Sequence, residues 1–144
     1  MLLTLIGESC VGKTTLANAL KEAYGAQIFS GKDYLRLAKN EGEAKKLFQE
    51  KLKAAVDGET ILYLIAEKEQ LSLLPEGAVR ILVTADLALI QERFAARMGG
   101  KLPAPVAAML EKKHGCFDKE PFDLHIHNGC PDAAEVCRRL TSGM

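Results

Sequence analysis

The chain has no excess of charge. Nineteen lysines and arginines are matched by nineteen aspartates and glutamates, so neither duplex nucleic acid nor an anionic membrane is expected as a bulk electrostatic partner. It also lacks long apolar runs. The apolar start Met1-Leu2-Leu3-Thr4-Leu5-Ile6 is too short for a signal sequence or a membrane span and is expected to be a buried strand. Cysteine is sparse: Cys10, Cys116, Cys130 and Cys137 show no C-x-x-C spacing. Reduced thiols in a cytoplasmic protein are therefore expected rather than a disulfide framework. Repeats, low-complexity tracts and linkers are missing too. With 144 residues, 48% hydrophobic and 26% charged, the expectation is a single globular domain spanning 1–144.

What is present is an alternation of short apolar strands with helical patterns, which predicts a three-layer α/β/α domain around a mostly parallel sheet. Strands are expected at Leu2–Ile6, Gln27–Ser30, Thr60–Ala66, Val79–Ala85 and, more peripherally, Phe122–His127. The first is apolar on both faces except at Thr4, as a central parallel strand should be. Leu16, Leu20 and Ala23 give Lys13–Tyr24 a helical face, with Gly25 as the stop. One or two helices fill Asp33–Asp57, where Leu47, Phe48, Leu52 and Val56 form one stripe. Asp86 is placed to cap a helix whose Leu87, Ile90, Phe94 and Met98 share a face. Gly99-Gly100 ends it, a Lys101–Pro105 loop leads to a short helix ending near Lys113, and Asp132–Leu140 reads as a last helix with Ala133, Val136, Cys137 and Leu140 on one side. No helix carries a long unexplained apolar stripe, so oligomeric state stays open.

The most specific segment is Gly7-Glu8-Ser9-Cys10-Val11-Gly12-Lys13-Thr14, which matches G-x-x-x-x-G-K-[ST] at every position. Gly7 lets the chain turn off the strand, and Gly12 takes a backbone conformation that a side chain resists. The N–H groups of such a loop wrap a phosphate at a helix N-terminus, where the dipole favours negative charge. Lys13 then reaches the β- and γ-phosphates, the Thr14 hydroxyl ligates Mg²⁺, and Thr15 continues the nucleotide-binding run. ATP with Mg²⁺ is the expected nucleotide. The guanine-reading N-K-x-D motif and D-x-x-G are absent. Glu67, after the third strand, is either an indirect part of the Mg²⁺ shell or a solvent-exposed helix start.

Two further segments narrow the class. Phe29-Ser30-Gly31-Lys32-Asp33-Tyr34-Leu35-Arg36 resembles the I-S-T-G-D-x-L-R pattern of adenylate kinases, and Arg93 and Arg97 in Gln91–Arg97 are similar to the arginine pair that opens the lid of that family. Phe122-Asp123-Leu124-His125-Ile126-His127-Asn128 resembles the Y-D-L-x-I-x-N stretch of cytidylate-kinase-like proteins. The resemblance implies a five-stranded P-loop kinase with a short lid at about 98–115, with Arg93 over the base and Arg97 on the transferring phosphoryl group. Ser30, Asp33 and Arg36 would bind the acceptor. By the same resemblance Asp33 either binds and deprotonates an acceptor hydroxyl or orders the site. Independently of any family, residues four apart share a helix face, and phosphoryl transfer is catalysed mainly by positioning and by cations around developing charge.

The chain departs from that pattern at Val106–Lys113, where lysines at the end replace arginines and offer charge without a bidentate fork. The acceptor is therefore expected to be a nucleoside monophosphate or another small hydroxyl or phosphate compound. The alternative is a regulatory module that binds nucleotide with little or no transfer. His114, Cys116, His125, His127 and Cys130 form a rival constellation of zinc-type ligands. Their spacings are not those of a zinc site, and histidines on an edge strand are the ordinary explanation.

Overall fold

The computed structural model describes residues 1–8, 13–127, 135–136 and 138–139. The expected turn at Ser9–Gly12, three of the four cysteines (Cys10, Cys130, Cys137) and most of the closing helix lie outside the described residues.

Among the described residues five strands form one sheet: β1 Leu2–Ile6, β2 Gln27–Ser30, β3 Ile61–Ile65, β4 Val79–Thr84 and β5 Leu124–His127. Their order is β2-β3-β1-β4-β5 and every pairing is parallel. The arrangement follows from the sequence. β1 and β3 are buried at every position, as strands covered on both faces must be. Thr4, the one polar residue of β1, is fully buried, and its hydroxyl donates to Val79 O at 2.9 Å. That bond offsets the cost of burying a hydroxyl. β5 is a short edge strand. Asp123 pins its entry to β4: its amide donates to Arg80 O and its carboxylate accepts from Arg80 N, both at 2.8 Å.

Helices cover both faces. On one lie α1 (Lys13–Tyr24), α3 (Leu87–Arg97) and α4 (Ala104–Lys113), whose Leu16, Leu20, Ile90 and Leu110 pack on Leu3, Leu5, Ile81 and Ile126. On the other, α2 (Glu41–Val56) sets Phe48 and Leu52 against Leu2, Ile6 and Tyr63. Phe48 is the hub of this layer, with ring centroids 5.1 Å from Phe29, 5.1 Å from Tyr34 and 4.9 Å from Tyr63. Two short 3-10 helices, Asp33–Leu37 and Lys68–Leu73, follow β2 and β3.

Some expectations need correction. Leu47 is 41% exposed; the buried face of α2 is Ala44, Phe48, Leu52 and Ala55. Ala23 and Met98 are exposed rather than part of the packed faces of α1 and α3. The fifth strand starts at Leu124, two residues later than its alternation suggests.

Chain direction matters more for function than any boundary. After β1 the chain leaves toward β3 and β2; after β4 it leaves toward β5. The loops at the carboxyl ends of neighbouring β1 and β4 thus diverge, and in open parallel sheets such a divergence opens a ligand crevice. The crevice is roofed by the segment after α4. There the chain crosses from the α1 face to the α2 face, where Phe117 is buried beside Ile6 and Leu82.

Candidate functional site

The central strand delivers Gly7 and Glu8 to this crevice, and α1 starts at Lys13 with no acidic residue in its first turn. A helix N-terminus of that kind favours an anion. The Lys13 side chain folds back over the loop entrance: Nζ donates to Gly7 O and, at 2.9 Å, to Glu8 O. Lysine and helix N-terminus therefore stand together at the exit of β1, as a phosphate cradle requires. Thr14 and Thr15 are exposed in the first turn of α1. A hydroxyl oxygen beside phosphates is a hard donor that suits Mg²⁺, so the residues present fit a Mg²⁺–nucleotide.

The Glu8 side chain, only 10% exposed, turns away from the loop toward the roof. One oxygen accepts from Gly115 N at 3.2 Å and the other lies 3.3 Å from His114 Nδ1. Gly115 has φ +79, and a Cβ there would stand 2.9 Å from Asp118 Oδ2, so the roof needs glycine at that turn. Cys116 is next in the chain. Burial pushes its thiol up from the ordinary range, and the Glu8 charge adds to the effect.

The remaining expected residues are placed as follows. Asp33 Oδ2 accepts from Ser30 N at 3.0 Å, closing the turn after β2, while Arg36 is exposed on the 3-10 helix that follows. Tyr63 supports that turn from below, its hydroxyl donating to Gly31 O at 2.8 Å. Arg93 is half-buried and Arg97 exposed in the last turns of α3. Gly99 and Gly100, with φ of +87 and +99, then lead to the loop before α4. Glu67 lies 3.5 Å from Lys113 Nζ, both side chains more than half exposed; its amide and that of Ala66 donate to Gln70 Oε1.

Sequence reasoning missed a second cluster on the other side of the crevice. Asp86 precedes α3, but its side chain caps nothing. Asp86 Oδ1 instead lies 3.3 Å from His127 Nε2. Thr84 Oγ1 lies 2.7 Å from His127 Nδ1 and 2.8 Å from His125 Nε2. A hydroxyl has one proton to give. With both imidazoles neutral and the Asp86 carboxylate accepting from His127 Nε2–H, His127 Nδ1 accepts from Thr84 O–H, and Thr84 accepts from His125 Nε2–H. His125 Nδ1 is thereby left as an acceptor; the tautomers are assigned from this network. The alternation of β5, which puts both histidines on one side, was the available signal. Their partner Thr84 comes from a strand some forty residues earlier, which spacing does not reveal. Among the described residues no three His, Cys, Asp or Glu side chains are grouped to hold a metal; Cys130 lies outside them.

These side chains line a recess of about 250 Å³ floored by Leu82 and edged by Phe122. A larger cavity of about 670 Å³ sits at the opposite end of the sheet, lined by Tyr24, Lys51, Glu59 and Thr60 among others. It is remote from the carboxyl ends of the strands, and size alone does not make it the site. No described helix is long and apolar enough to cross a membrane.

No family model matches the chain, and no curated protein does. Solved structures do share its fold. A gluconokinase from Sinorhizobium meliloti superposes with a TM-score of 0.60 at 17% identity, covering 98% of this chain and 89% of its own. A shikimate kinase from Acinetobacter baumannii, in complex with shikimate, gives 0.62 at 15% identity, with 98% and 90% covered. A sugar kinase from Janibacter sp. gives 0.60 at 16%, with 97% and 92% covered. At such identities the likeness establishes a shared architecture: the chain has the same fold as these structures, a five-stranded, all-parallel sheet with helices on both faces.

Proposed function

We propose that the chain is an ATP-dependent phosphotransferase acting on a small acceptor. The observation that carries this reading is Lys13, whose ammonium stands over the carbonyls of Gly7 and Glu8 at the exit of the central strand, at the N-terminus of α1. The gluconokinase, sugar kinase and shikimate kinase that share the fold support it.

In this reading the Gly7–Thr15 segment holds the triphosphate. Lys13 exchanges main-chain carbonyls for β- and γ-phosphate oxygens, and Thr14 contributes a ligand to Mg²⁺. Arg93 and Arg97, one turn apart on α3, supply cations above the transferring group, where charge spreads over the equatorial oxygens. Two places beside the loop suit an acceptor. One is the turn after β2, with Ser30, Asp33 and Arg36, where the exposed guanidinium fits a phosphate-bearing compound such as a nucleoside monophosphate. The other is the recess at the ends of β4 and β5.

Calorimetry with Mg²⁺–ATP tests the first step. Lys13→Ala is expected to weaken binding by roughly 10- to 100-fold, the range of one charge-assisted hydrogen bond. An unchanged affinity would exclude the cradle. Product analysis with labelled ATP and a panel of nucleotides and small alcohols tests the second step, and tight binding with hydrolysis alone would favour the regulatory reading.

A further inference from the structure

We propose that the recess between β1, β4 and β5 is the acceptor pocket, and that it takes an uncharged polyhydroxy compound the size of a single sugar ring. The proposal rests on the phosphotransferase reading and names its substrate class.

Location comes first. Glu8 belongs to the phosphate loop and lines the recess, and its carbonyl meets Lys13 Nζ at 2.9 Å. Glu8 thus joins the recess to the loop that carries Lys13. The recess also sits where the β1 and β4 connections diverge. The turn after β2 is less suited to the task. Asp33 Oδ2 is engaged by Ser30 N, and the recess on that side is lined by Lys32, Tyr34, Lys45 and Glu69, among others, in only about 170 Å³.

Chemistry follows from the lining. Among the described residues it has three carboxylates (Glu8, Asp86, Asp118) and three imidazoles (His114, His125, His127), with no lysine or arginine. Such walls repel a carboxylate or phosphate ester and accept hydroxyl protons at several points. Phe122, 47% exposed at the edge and 5.3 Å from the His125 ring, gives an apolar face for the C–H side of a sugar. A volume of about 250 Å³ lies just below the range of drug-sized sites and matches one small ring.

The hydrogen-bond chain supplies direction. With both imidazoles neutral, the run from His125 through Thr84 and His127 to Asp86 leaves His125 Nδ1 as the acceptor at its open end. In transfer, the acceptor hydroxyl oxygen bonds to the γ-phosphorus as the bond from that phosphorus to the ADP oxygen breaks. ADP departs with the electron pair, and the hydroxyl proton goes to His125 Nδ1. The resulting imidazolium shares its charge along the chain toward Asp86.

The test titrates the full chain with myo-inositol, D-ribose and glycerol, without nucleotide, following chemical-shift changes, and compares D-gluconate and ribose 5-phosphate. At least one uncharged compound is expected to bind at least about tenfold more tightly than either anion. His125→Phe and Thr84→Val should each weaken that binding by about tenfold, while Mg²⁺–ATP affinity stays within about twofold. Thermal melting identifies any variant that fails to fold, and the milder rim variant Phe122→Ala, expected to weaken binding in the same sense, then decides. Absence of binding by all three uncharged compounds, anions binding as tightly, or folded variants without effect would overturn the proposal. Binding without transfer from ATP would overturn the phosphotransferase reading yet uphold the recess as a polyol site.

Discussion

Tyr63 shows how one side chain links the core to the crevice. Its ring packs edge-on against Phe48, and its hydroxyl holds Gly31 O in the turn after β2. Burial, then the Tyr34 and Asp33 charges, raise its pKa, so it stays a donor throughout the working range. Tyr63→Phe leaves that carbonyl without its donor and is expected to cost about 1 kcal/mol, measured as a lower urea midpoint with an unchanged slope. Cys116 is the residue whose chemistry depends on pH. Burial and then Glu8 raise its pKa, so the folded chain keeps the thiol proton where the unfolded chain has released it. Its contribution to stability is full below the ordinary thiol range and is lost as pH rises from that range through the raised folded value. Alkylation of the Cys116 peptide at pH 8, followed by mass spectrometry, should run slower in the folded chain than in urea; equal rates would contradict this.

At the scale of elements, α2 depends on its cap and its aromatic hub. Asn40 Oδ1 accepts from Glu43 N at 3.1 Å, and Asn40→Ala is expected to lower stability by about 1 kcal/mol. Phe48→Ala, which empties the centre of the aromatic layer, should cost about 3–5 kcal/mol. Both are readable from denaturation curves. Strands and helices were largely legible in the sequence, because an all-apolar run such as Leu2–Ile6 has few fates other than a doubly covered strand. Leu47 was misread because its neighbour Phe48 defines the stripe, and one helical step of about 100° turns a side chain off the buried face. The G-x-x-x-x-G-K-T motif could be read because its residues are contiguous, and the Lys13 contacts with the Gly7 and Glu8 carbonyls lie within it. The Thr84–His125–His127–Asp86 group could not, since it exists only once β4 and β5 pair. The Glu8 contact with His114 was hidden in the same way: 106 positions separate the two residues, and only the crossing of the roof brings them together.

For the molecule as a whole, a ligand that binds only the folded state adds to its stability. Mg²⁺–ATP at about a hundred times its Kd should contribute about 2.7 kcal/mol, or roughly 5–10 °C in Tm for a domain of this size. Lys13→Ala, at a 10- to 100-fold weaker affinity, should remove about 1.3–2.3 kcal/mol of that gain at the same concentration. A melting point indifferent to Mg²⁺–ATP in the unaltered chain would mean that the fold has kept its shape without its cradle.

Glu8 gives the two halves of the crevice a common post. Its main chain faces Lys13, and its carboxylate anchors the roof of the recess. A guest that pulls on one side of that residue changes what the other side offers. Thermodynamic reciprocity then fixes the size of the exchange: whatever factor nucleotide applies to the affinity for a sugar, the sugar applies to the affinity for nucleotide. Glu8→Gln, which keeps the shape and removes the charge, should bring that shared factor closer to one from either direction of titration.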